Sequence, residues 1–232
     1  MRKGRRHVHD SGFNNFAWMI QQMPLAPALL PNISSFRLRA KALAMAEAIL
    51  SPDWEDRYFS FNARWGDGEE MASMRNGQGD DWFLLLGSFG AAIKGFAHET
   101  ALARDSAFAT AVQSHVPATF SSFLSEPAFG MQRASFCYWR AAHDQAWQKV
   151  DLLSRDVDSD DGSDSMLALL IESASSYADF AKWYYEVDVP LNSIDRIFSH
   201  SPLPHELVAS LNPDLSLAEA NIFAKEIGYP AY

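Results

Sequence analysis

Arg57-Tyr58-Phe59-Ser60-Phe61-Asn62-Ala63-Arg64-Trp65 alternates without a break. Phe59, Phe61, Ala63 and Trp65 fall on one side, and Tyr58, Ser60, Asn62 and Arg64 on the other. A period of two is that of a strand with one buried face. Gly66-Asp67-Gly68 then turns the chain, and Glu70 to Arg75 reads as a second strand. Asn76-Gly77-Gln78-Gly79-Asp80 is the strongest hairpin signal in the sequence. Trp82 to Leu86 is apolar on both sides, as a central strand requires. Gly87-Ser88-Phe89-Gly90 turns again, and Ala91 to Phe96 gives a fourth strand. Strands joined by such short turns form an antiparallel meander. The aromatic stretch Arg133 to Arg140 predicts a fifth strand.

Outside the strands the pattern is helical. Leu38, Ala42, Met45 and Ile49 share one face of a helix over residues 35–50, with Ser34 or Ser35 as its cap and Ser51-Pro52 as its stop. A short helix after Pro117 covers 118–124. Beyond the acidic stretch 151–164, helices are expected at 166–172, 178–186, 191–198, 204–211 and 216–226. Ser216 and Glu219 have the spacing of a capping box. Pro24, Pro27 and Pro31 argue against a long helix in the first 34 residues, although a short one fits 14–22. The expected class is α+β: a central antiparallel meander of about five strands, packed by an N-terminal helix and a C-terminal helical region. Residues 1–34 are expected to form an irregular arm, and 35–232 a single domain.

The composition is that of a globular chain. Of 232 residues, 48% are hydrophobic and 21% charged, which excludes collagen-like and disordered classes. Lys plus Arg number 19 and Asp plus Glu 29, a net charge of −10. Such a balance argues against non-specific nucleic-acid binding and suits a basic protein partner. The single cysteine, Cys137, forms no intramolecular disulfide and lies in an aromatic run, as a buried thiol does. The basic start, Arg2 to Arg6, is followed by His7-Val8-His9-Asp10 rather than by an apolar stretch. No apolar run approaches the ~20 residues of a membrane span. These features lead us to expect a cytoplasmic chain with no membrane partner.

Four residues stand out as candidates for a functional surface: Arg75, Asp80, His98 and Glu99. His98 ends the fourth strand, where an imidazole could serve as acid or base. Glu69, Glu70, Asp80 and Asp81 are the carboxylates a meander could bring to it. Neighbours on a strand point to opposite sides, so His98 and Glu99 need not cooperate, and a histidine that ties down a loop is the competing reading. Arg75 and Lys94 are charges within strands, either paired structurally or free to anchor a carboxylate. Tyr58, Trp82, Tyr184 and Tyr185 are candidate interface anchors wherever they are exposed. The acidic run from Asp156 to Gly162 fails the calcium-loop pattern, because its sixth position is Asp161 and its twelfth Leu167. No catalytic motif, cofactor or metal site is read from the sequence.

Met71-Ala72-Ser73-Met74-Arg75-Asn76-Gly77-Gln78-Gly79-Asp80-Asp81, then Ile93 to Glu99, Leu211-Asn212-Pro213 and Glu226-Ile227-Gly228-Tyr229, resemble a set of uncharacterised bacterial proteins of the toxin-system immunity type. The resemblance covers about residues 35–229 and implies a binding role without assigning a site. The expected function is therefore non-catalytic: an acidic protein that neutralises a bacterial toxin by protein–protein contact. The alternative is a small-molecule hydrolase built around His98 and nearby carboxylates.

Overall fold

The structure, a computed structural model, describes residues 24–104, 106–150 and 160–230. The expected helix at 14–22 and Asp156 to Ser159 of the acidic run lie outside them. The fold is α+β. Among the described residues six strands form one antiparallel sheet in chain order: β1 (Phe59–Gly66), β2 (Glu69–Arg75), β3 (Asp81–Gly87), β4 (Gly90–Phe96), β5 (Phe136–Ala141) and β6 (Gln148–Lys149). The sixth is only two residues long, too short to leave a pattern in the sequence.

Helices cover both faces. Against one face pack α1 (Ile33–Leu50) and, from the chain after the sheet, α4 (Ser163–Ile171), α5 (Ala174–Tyr184), α6 (Leu191–Phe198), α7 (His205–Leu211) and α8 (Leu217–Ile227). They bury Phe59, Phe61, Met74, Trp82, Leu84 and Ile93 of the sheet. The opposite face is closed by the connection between β4 and β5. There α2 (Ser106–His115), α3 (Ser121–Ser125) and the turn at Phe129 set Phe108, Phe120, Phe123 and Phe129 against Met71, Leu85, Ala92 and Cys137. This second layer explains why Trp82 to Leu86 is apolar on both sides. Cys137 is buried, and burial pushes its thiol well above the ordinary range.

Two local readings need correction. The Asn62–Gly66 stretch of β1 shifts register against β2, as a bulge does, so Trp65 leaves the face of Phe59 and Phe61 and packs on the second core. Helix α1 is not one-sided: Ala42 to Ile49 are all buried, while Leu38 is 49% exposed. It is a central helix with other helices around it. Its cap is Asn32, whose Oδ1 accepts from the Ser35 amide at 2.9 Å, two residues before the first of the expected serines. The Ser216–Glu219 capping box is formed as expected.

Residues 24–31 contain one 3-10 turn and are tied to the core. The Tyr138 hydroxyl donates to the Leu25 carbonyl at 2.7 Å, and Trp147 Nε1 donates to the Pro31 carbonyl at 2.6 Å. Among the described residues no helix is long and apolar enough to cross a membrane.

Candidate functional site

The turn between β2 and β3 is built by its own side chains. Asn76 Oδ1 accepts from the amides of Gln78 (2.8 Å) and Asp80 (3.1 Å), an Asx-type closure. Gly77 and Gly79 sit at φ +72° and +121°, which is why glycine recurs there. Asn76 Nδ2 donates to Asp80 Oδ2 at 2.6 Å and fixes that carboxylate. The other oxygen, Asp80 Oδ1, accepts from the backbone amide of His98 at 2.8 Å and lies 2.7 Å from its Nδ1.

Asp80 thus selects the tautomer with the proton on Nδ1 and turns Nε2 outward, 3.8 Å from Glu99 Oε1. The His98 side chain is 40% exposed. The bond from Asp80 holds the imidazole above its ordinary value, slight desolvation opposes this, and the charges of Asp80 and Glu99 add to it. Asp80→Asn is expected to return the His98 value toward that of a free imidazole, read from its ring protons in an NMR pH titration. An unchanged titration would mean that Asp80 does not control the ring. Because the folded value is the raised one, the pair adds stability below the ordinary imidazole value. That stability is lost as pH rises through the folded value.

The structure therefore brings Asp80, His98 and Glu99 together. Arg75 belongs to the same end of the sheet but to its other face, since Met74 beside it points into the first core. Its guanidinium lies 4.3 Å from the centre of the Trp54 ring, and its strand partner is Asp81. The remaining expected carboxylates are engaged elsewhere. Glu70 pairs with Arg37 (2.6 Å) and Lys41 (2.7 Å), Glu69 sits at the far end of β2 opposite Gly66, and Asp81 holds Lys94 at 2.8 Å. Lys94 is fully buried, so the strand charge that could have been open is paired. Burial lowers its ammonium below the ordinary lysine value, against the pull of Asp81.

Aromatic rings continue this end. Tyr58, whose carbonyl accepts from the Arg75 amide at 2.9 Å, packs edge-on against Tyr184 at 4.9 Å, and Tyr184 lies 5.9 Å from Trp183. Trp54 is 49% exposed and Trp183 41%, whereas Trp82 is buried and Tyr58, Tyr184 and Tyr185 are half-buried. Of the four expected anchors none is the most exposed; that part falls to Trp54 and Trp183. Neither lies in a periodic pattern that marks it as surface. The one available signal for Trp54 is its place in the polar stretch Ser51 to Arg57.

Two shallow concavities, of about 570 and 430 Å3, lie elsewhere, along α2 and α3. They share Gln113, Leu124 and Ser125, and neither reaches His98. Among the described residues no three His, Cys, Asp or Glu side chains are grouped as ligands for a metal ion. No protein-family model matches the chain, and comparison with curated proteins and with solved structures gives no match.

Proposed function

We propose that this chain is a non-catalytic binding protein acting through protein–protein contact, and in its sharpest form an acidic immunity protein that neutralises a basic bacterial toxin. The observation that carries the reading is two aromatic groups at one end of the sheet, Trp54 with Arg75 and Tyr58 with Tyr184 and Trp183, whose backbones meet where the Arg75 amide donates to the Tyr58 carbonyl. Trp, Tyr and Arg are the residue types that anchor interfaces, and here they are held by ring–ring and cation–π contacts. Exposed carboxylates flank them in the sequence: Asp53, Glu55 and Asp56 beside Trp54, and Glu186 just after Trp183. An aromatic centre with an acidic rim suits a basic partner and speeds its encounter. The His98–Asp80 pair adds a polar contact at the same end.

The test is binding of the purified chain to the basic products of neighbouring genes, by titration calorimetry at low and high salt. The expected result is a salt-sensitive complex that Trp54→Ala with Trp183→Ala weakens by about a thousandfold, since each hot-spot anchor is worth roughly 2 kcal/mol or more. Binding unaltered in that variant would overturn the surface.

The alternative hydrolase reading rests on one observation: an imidazole held by a carboxylate on Nδ1 and open on Nε2 has the orientation of a general base. Loss of a measured hydrolysis in His98→Ala, with folding retained, would favour it over the binding reading.

A further inference from the structure

On the second face, at the hairpin end, one carboxylate stands among three cations. Asp81 accepts from Lys94 Nζ at 2.8 Å, and this ammonium is fully buried, so the two form a neutral unit. Arg133 approaches the other oxygen of Asp81 only at 3.4 Å, a long and weak contact. Arg75 stands beside Asp81 in the strand register, and no acceptor lies within hydrogen-bonding distance of its guanidinium among the described residues. Two guanidinium charges are therefore left over, in a chain whose net charge is −10.

Both are placed rather than loose. Arg75 lies 4.3 Å from the Trp54 ring centre and Arg133 4.8 Å from that of Phe96. Phe96 is the strand partner of Asp81 on the side away from Arg75. Arg75 and Phe96, the residue under Arg133, thus flank Asp81 on positions about two strand spacings, or roughly 10 Å, apart. The contact with its ring holds each guanidinium in place, and the N–H groups not engaged by Asp81 are left to receive an oxyanion in bidentate fashion. Arg133 is half-exposed, so the site opens to solvent.

We infer that Arg75 and Arg133 form an oxyanion-binding fork that takes the phosphate or carboxylate group of a small molecule. Asp81 between them is neutralised by Lys94, so an entering anion does not meet an uncompensated carboxylate. The inference stands on this geometry and not on the docking reading above.

The test is an NMR titration of the full chain with inorganic phosphate and, separately, succinate, at constant ionic strength balanced with chloride. The expected result is a saturable shift of the Arg75 and Arg133 Nε–H signals and of the Trp54 indole N–H with at least one probe, which then identifies the anion class. Arg75→Gln and Arg133→Gln should each weaken it at least about tenfold, with unchanged thermal midpoints showing that both variants fold. Shifts that fail to saturate with both probes, or equal affinity in the double variant, would overturn the inference.

Discussion

Glu47→Ala is expected to lower the thermal midpoint by roughly 10 °C or more. Glu47 lies within the buried stretch of α1 and has no exposed surface. Its Oε1 accepts from the Tyr177 hydroxyl at 2.8 Å. Its Oε2 accepts from the Tyr58 amide at 2.8 Å, more distantly from the Phe59 amide, and from the Tyr185 hydroxyl. One carboxylate thus ties α1 to the start of β1 and to both ends of the α5 segment. Alanine would leave these donors buried and unpaired, each worth about 1–3 kcal/mol, and would open a cavity as well. Glu47→Gln keeps an acceptor and should lose far less. Burial pushes the Glu47 carboxyl up, against the bonds from Tyr185, Tyr177 and the two amides. A folded value above the unfolded one means that stability falls as pH rises from the ordinary carboxyl range through the raised value, and that Glu47→Gln removes this slope. Midpoints measured by circular dichroism across pH check both statements, and a Glu47→Ala midpoint within 2 °C of wild type would refute the anchoring role.

Gly90→Ala is expected to destabilise by about as much, for a backbone reason. Gly90 opens β4 at φ +128°, where side chains are strained. A Cβ there would overlap the Arg140 carbonyl oxygen and stand 2.8 Å from the Ala142 nitrogen. Both belong to β5 or its end, and the Ala142 amide donates to the Phe89 carbonyl at 2.9 Å. The substitution must part β4 from β5 at the end where β4 begins, so a loss of about 3 kcal/mol in denaturant unfolding is expected. Unchanged unfolding would show that the hairpin relaxes freely.

The strands were legible because their signals are local. Alternation at Phe59 and Phe61, glycine-rich turns and the doubly apolar Trp82 to Leu86 reproduce β1 to β4 to within a residue or two. Trp65 was misplaced because a bulge inverts the alternation without changing the letters that show it. Leu38 was misplaced because α1 is enclosed by four other helices, so its apolar pattern has no single face to mark. The long β4–β5 connection carries only weak periodicity, and its role as the second layer emerges from non-local packing of Phe120, Phe123 and Phe129.

The candidate site shows the same division. A histidine at a strand end and an aspartate at a hairpin were visible as types, but their pairing depends on the register that sets Asp81 opposite Phe96. Glu47 and Arg133 act through contacts with residues 130 and 52 positions away, which no short pattern displays.

The most direct test of the binding account is a comparative pull-down from lysate of the source cell, using the wild-type chain and the folded Trp54→Ala/Trp183→Ala variant as paired baits. The account predicts a basic protein retained by the first, released by salt, and absent from the second. The same set of proteins on both baits would contradict it.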